Sequence, residues 1–419
     1  MNKTLLVLVF LLGGILAQGS AWSAQALSWE DCVREARAAN PELLSAQAKL
    51  EQAVASKDIT RSTRLPQVSA AAGHSISKAE GRDSAKSSSY SVSGRQLLFD
   101  GSKAANDLAA AREDIKSAAY DQQVVSSNVL LQLRTAFTGL LAAQELMGVT
   151  KDIVSRRQQN MDLVTLRYEG GREHKGALLT AQANLAQAAF EYEQALRNLE
   201  LYQRRLSKEL GRTTFVPVTV SGTLEVAPVD QAKPAFEALV DDTPLLKQLA
   251  ARKEAARLGV KSAKADIFPK IYADAGAGKS GSSWPPSTHD WSAGISVSFP
   301  LFEGGEKQAS LARARAAYEQ LKADEKSGRD GVIYTLAETW TSWQDAAARV
   351  AVQEKFLEAS ALRSTIAEGE YGMGLITFND WTLIEDALVN HQKAVLQAKM
   401  NALTAEAGWL QAKGETLDE

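Results

Sequence analysis

Few side chains in this sequence are spaced for catalysis. Gly278-Lys279-Ser280 looks like the end of a phosphate-binding loop, but the first glycine of G-x-x-x-x-G-K-[ST] would fall at Ala273, and no helix pattern follows. The four histidines, His74, His174, His289 and His391, lie far apart with no metal-ligand spacing. Neither G-x-S-x-G nor H-E-x-x-H occurs. No catalytic, cofactor-binding or metal-binding residue is expected, and the chain reads as a non-enzyme. Charged and tyrosine side chains gather instead beside glycines. One group is Arg167, Tyr168 and Gly171, followed by Arg172 and Lys175; the other is Glu370, Tyr371 and Gly374, followed by Asp380. Glycine is expected where a helix turns back on itself, so both groups read as tips of helical hairpins. Their functional reading is a pore constriction, built when symmetry collects such side chains, and a surface that meets a partner.

These two groups stand 203 residues apart, and so does much else. Asn40-Pro41 returns as Thr243-Pro244, and Leu65-Pro66 as Phe268-Pro269. Leu98-Phe99-Asp100-Gly101 returns as Leu301-Phe302-Glu303-Gly304, and Gly211 as Gly414. The register never slips, so one large structural unit is used twice. Residues 27–211 form the first repeat and 235–414 the second. Residues 212–234, with Pro217, Pro228 and Pro234, join them as a linker or equatorial belt, and 415–419 are a tail.

Residues 1–26 read as a secretory signal: Lys3, an apolar run from Leu5 to Leu16, and an Ala24-Gln25-Ala26 cleavage site. Cys32 is the only cysteine, which excludes an internal disulfide. Trp29-Glu30-Asp31 before it is the wrong approach for lipidation, so Cys32 is expected as a small buried residue. The balance of 47 basic and 50 acidic residues carries no nucleic-acid signature.

No proline lies between Pro66 and Pro217 or after Pro300, which permits very long helices. Helices are expected over 103–168 and 306–371, each about 100 Å long. Shorter ones are expected over 41–64, 177–210, 244–267 and 380–413. The economical packing is one long helix beside two short ones stacked end to end, an antiparallel coiled coil in each repeat. Between them the apolar period changes to two. Val68, Ala70, Ala72, His74 and Ile76 alternate with small polar residues, and Ala293, Ile295, Val297 and Phe299 do the same. Strands are expected at about 66–78, 89–99, 269–280 and 291–302. Their length suits a membrane β-barrel, with Tyr90, Trp284 and Trp291 as an aromatic girdle. Alternation alone fits a half-buried soluble hairpin equally well; the secretion signal and the long helices favour the membrane. Four strands cannot close a barrel, and bare edges in lipid leave backbone groups unsatisfied, so several chains must share one. Three would supply twelve strands.

The sequence resembles the TolC-type outer-membrane channels over essentially the whole mature chain. The resemblance rests on Leu27-Ser28-Trp29-Glu30 followed by Asn40-Pro41-Glu42-Leu43, the proline before each strand pair, Leu-Phe-Asp/Glu-Gly after it, and Tyr-x-x-Gly at each tip. It implies a mainly α fold with membrane strands. A homotrimer would form one twelve-stranded barrel amid outer-membrane lipid, continued by a hollow periplasmic α-helical tube. It also implies gating at the coiled-coil tips, and export of drugs, metals or proteins in efflux or type I secretion. Its partners would be a periplasmic adaptor and an inner-membrane transporter, with no cofactor. Tyr371 matches the family's tip tyrosine, and Asp380 an aspartate of its constriction. A second family aspartate would fall at Leu383 and an arginine at Ile376, and both are departures; the first-repeat position is Ala177. The closed state is therefore expected to use other bonds, through Arg172, Lys175 or Glu370. A periplasmic adaptor or structural coiled-coil protein is the alternative, and two complete copies each with its own strand pair argue against it.

Overall fold

The computed structural model describes residues 26–78, 80–81, 83–227, 229 and 232–417; the expected signal segment, apart from Ala26, lies outside them. Each repeat is one strand pair framed by helices. The first contains helices α1 (Trp29–Ala39) and α2 (Pro41–Ser62), strands β1 (Gln67–Ser77) and β2 (Ala85–Phe99), and helices α3 (Lys103–Glu169) and α4 (Lys175–Glu209). The second contains α5 (Phe236–Leu239), α6 (Pro244–Ala265), β3 (Lys270–Gly281), β4 (Thr288–Ser298), α7 (Glu306–Met373) and α8 (Phe378–Lys413). The long helices run 67 and 68 residues, about 100 Å each. No helix among the described residues is long and apolar enough to cross a membrane.

The short helices pack end to end along the long ones, as the matched lengths require. They also join the repeats: α6 lies between α3 and α7 near the strands, and α8 lies between the same two helices toward the tips. Leu133, Ala136 and Leu140 of α3 fill one core with Cys32, Leu206 and Leu210. At the equivalent level of α7, Leu336, Trp340 and Trp343 pack with Phe236 and Trp409. Trp340 meets Trp409 edge-on at 5.1 Å between ring centroids.

Of the segment joining the repeats, illegible as a sequence, Val218, Val220 and Leu224 pack on this first core, while Val226 and Val229 reach other clusters. Val220 and Leu224 are buried in the first core, and Leu27 pairs with Val220 in a parallel bridge. The Gln144 side-chain amide donates to the Val220 carbonyl and accepts from its N–H, both at 2.9 Å. Leu417 of the tail is buried in the same core, where its N–H donates to Ser126 Oγ at 3.1 Å.

The strands form one antiparallel sheet in the order β1-β2-β3-β4. β2 and β4 start earlier than expected, at Ala85 and Thr288, because their polar outer ends still find ladder partners: Ser77 faces Ala85 and Ser280 faces Thr288. β4 stops at Ser298, short of Pro300, which has no N–H to give a ladder. The register sorts the two faces cleanly. One carries the rows Ala70–Val92–Ala277–Trp291 and Val68–Gly94–Ala275–Ala293, with Ala273–Ile295 and Ile271–Val297 beside them. The other carries Ser69–Ser93–Gly276–Ser292 and the Arg95–Asp274 ion pair at 2.6 Å. No helix covers the apolar face: Val68 and Ile295 are each 71% exposed.

Candidate functional site

Both helical hairpins turn on a left-handed glycine, Gly171 at φ +69° and Gly374 at φ +81°. A side chain at such a φ is strained. Behind Gly374, the Leu375 N–H donates to the Glu370 carbonyl at 2.8 Å, and behind Gly171 the Arg172 N–H donates to the Arg167 carbonyl at 2.8 Å. These bonds satisfy the last carbonyls of α7 and α3. The returning helices are capped at equivalent repeat positions. His174 Nδ1 accepts from the Ala177 N–H at 3.1 Å, and Thr377 Oγ1 accepts from the Asp380 N–H at 3.2 Å.

The two tips are tied together around Tyr371, which is fully buried. Its ring stacks on Trp381, centroids 4.4 Å apart at 16°. The Arg167 guanidinium sits 4.5 Å from the ring centroid and donates through Nη1 to the Tyr371 carbonyl at 2.6 Å. The Tyr371 hydroxyl donates to Glu173 Oε2 at 3.0 Å. Burial, and then the Glu173 carboxylate, hold the phenol well above its ordinary pKa of 10. Val164, Ala177 and Ala181 complete a small core under the pair.

Closer to the middle of the helices lies a second set of ties, between α3 and the α7–α8 hairpin. Glu385 is 1% exposed. It accepts from Ser364 Oγ and from Asn160 Nδ2, the latter at 3.2 Å, and pairs with Arg156 at 3.5 Å. The buried Arg157 donates to Asp386 at 2.5 Å. On α4, Glu191 pairs with Lys393 of α8. Burial raises the Glu191 pKa, but hydrogen bonds from Lys393 and Gln187 outweigh it and leave the carboxyl below its usual range.

Of the expected tip residues, Arg167, Tyr371 and Gly374 are therefore brought together, while Gly171 serves only the turn of its own hairpin. Tyr168, Arg172 and Lys175 are exposed and hold no ion pair among the described residues. Glu370 takes part through its carbonyl. Asp380 is exposed, and its carboxylate accepts from the Thr377 hydroxyl at 2.7 Å, so within its own chain it steadies the residue that caps α8. Glu173, Trp381, Arg156, Arg157, Glu385 and Asp386 were not expected. Glu173 lies among the charged residues of the first tip, a signal the sequence did contain; the others sit inside helices with nothing to mark them. At the far end, Tyr90, Trp284 and Trp291 gather on the apolar sheet face, with Tyr90 and Trp284 edge-on at 6.5 Å. No group of three or more metal-ligating side chains occurs among the described residues.

The fold recurs in solved outer-membrane channels. The Campylobacter jejuni CmeC outer membrane channel superposes with a TM-score of 0.83 at 16% identity, covering 100% of this chain and 95% of CmeC. The outer membrane protein VceC from Vibrio cholerae gives 0.79 at 20% identity, covering 92% and 96%. In sequence, the chain is 20% identical to the outer membrane efflux protein BepC of Brucella suis over 98% of this chain and 90% of BepC. It is 25% identical to the alkaline protease secretion protein AprF of Pseudomonas aeruginosa over 67% of this chain and 60% of AprF. The outer membrane efflux protein model matches residues 32–212 and 237–415, one stretch per repeat. With most of the chain matched and its architecture shared, the protein belongs to the outer membrane efflux protein family.

Proposed function

We propose that three copies of this chain close a twelve-stranded barrel in the outer membrane, and that their helices continue it into the periplasm as a hollow conduit. The conduit exports its cargo without catalysis of its own, engages a periplasmic adaptor and an inner-membrane transporter, and opens at the tips built around Tyr371. The observation that carries this reading is the sheet: among the described residues β1 and β4 have no outer neighbour, and the apolar face has no cover. Closure with further strands pairs the edges, lipid covers the apolar face, and the Ser- and Gly-rich face then lines the pore, as in other barrels. The names of BepC and AprF cover both efflux and protein secretion; the partner transporter sets which applies here. The test is electron microscopy of detergent-extracted protein together with planar-bilayer recording. Hollow cylinders well over about 100 Å long with threefold end views, and discrete conductance steps, are expected. Compact monomers that make no channels would overturn the reading.

A further inference from the structure

The charge on the two sheet faces is unequal in a way that pore formation does not use. The acidic side chains of the strands, Asp274 and Asp290, lie in the rows of the polar face. The apolar face carries charge of one sign only, and only at one end. Lys279 stands in the row Ala72–Tyr90–Lys279–His289, next to Trp291; two residues further out, His74 pairs with Ser88, and beyond that Ile76 pairs with Lys86. Neither lysine has an ion-pair partner among the described residues, although the β1–β2 loop contains Glu80 and Asp83. This is the end away from the helices, because α2, α3, α6 and α7 all join the strands at the opposite end.

Below the cluster, the apolar rows from Ile271 to Ala277 run about 20 Å along the strand, which at the usual tilt spans about 15 Å of the roughly 25 Å apolar band of such barrels. Lys279 lies about 7 Å further along the strand, about 5 Å higher in the barrel. Its ammonium, on a four-carbon stem, reaches the level where headgroup phosphates lie. Tyr90 in the same row and Trp291 one row below are the side chains that prefer this boundary.

We propose that Lys86 and Lys279, with His74 and His289 beside them, form a basic belt that binds phosphate groups of lipid headgroups in the outer leaflet. The proposal rests on the barrel reading above. Each lysine near a charged lipid surface is worth about fivefold in affinity, so the pair contributes about thirtyfold.

The test uses the full chain purified in detergent, and native mass spectrometry with lipid A carrying or lacking its phosphates. The wild type is expected to prefer the phosphorylated form on the order of thirtyfold. Lys86→Gln/Lys279→Gln brings the preference close to one while keeping its conductance, and Lys86→Arg/Lys279→Arg restores it. An unchanged preference in the glutamine variant overturns the proposal. Competition by inorganic phosphate as effective as that of the lipid overturns the headgroup as the ligand. Wild-type protein that forms no channels refutes the barrel itself; normal channels without a phosphate preference refute the belt alone.

Discussion

Tyr371→Phe isolates the bond between the two tips. Phenylalanine keeps the stack on Trp381 and the ring under Arg167, and removes only the hydroxyl that donates to Glu173 at 3.0 Å. A hydrogen bond to a charged group contributes about 1.5–3 kcal/mol. The Glu173 side chain is 11% exposed, so water replaces the lost donor poorly, and about 2 kcal/mol per chain is the reasonable figure. That is roughly thirtyfold in the opening equilibrium of one chain. If three tips part together, the costs sum to about 6 kcal/mol, some four decades. Single-channel recording in planar bilayers reads this directly. Open probability is expected to rise in the order wild type, Glu173→Gln, Tyr371→Phe, since glutamine still accepts from the hydroxyl but without the charge. Equal open probability in wild type and Tyr371→Phe, with unchanged thermal stability, would refute the assignment of the gate to this bond.

Asp386→Ala strands the buried Arg157 guanidinium, whereas Arg157→Met leaves a half-exposed carboxylate in water. Thermal melts should therefore show the aspartate variant the less stable, by about 2 kcal/mol against about 1, and the reverse order would contradict the burial argument. Glu191 has a lowered pKa, so its contribution is fully present above its ordinary value of 4.5 and is lost as the pH falls through the lower folded value. Corrected for the intrinsic pH dependence of exchange, amide protection factors in α4 around Glu191 should hold at pH 5, on the order of half a unit above that ordinary value, and fall only in stronger acid. Burial pushes the Cys32 thiol up to about 12, so a maleimide should label it only after denaturation; rapid labelling of the native protein would show that α1 does not stay packed.

The helices and strands were legible because their signals are local. Proline-free stretches and alternation of period two need no knowledge of partners. The turns were legible for the same reason, since Gly171 and Gly374 mark left-handed positions that few other residues tolerate. The ties between hairpins were not legible, because each joins residues some two hundred positions apart on helices whose facing is set by packing. Arg157 and Asp386 look like solvated charges in their own helices. The segment between the repeats was illegible for a related reason: its Val220 is held by Gln144 and Leu27, which lie outside the segment.

The repeat itself explains why the tips are unequal. Backbone devices survive duplication: His174 and Thr377, at equivalent positions, both cap the helix that returns. The side chains beyond them have diverged. Tyr168 is 38% exposed, while its counterpart Tyr371 is fully buried. Ala177 is buried in the tip core, while its counterpart Asp380 is exposed and accepts from the hydroxyl of the cap residue Thr377. In each chain, then, the second tip supplies the ring that locks onto the first. The first tip leaves the side chains of Tyr168, Arg172 and Lys175 without an ion pair or hydrogen bond among the described residues. In the threefold ring proposed above the two kinds of tip would alternate, so these groups would face the second tip of a neighbouring copy or a partner. On that proposal opening takes two separate breaks, one inside each chain at Tyr371 and Glu173, and one between chains at the basic face of the first tip. Arg172→Ala combined with Lys175→Ala should raise open probability without moving the thermal stability of the Tyr371 core, whereas Tyr371→Ala should change both. If the double alanine variant gates like the wild type, the basic face plays no part in closure and the Tyr371 lock acts alone.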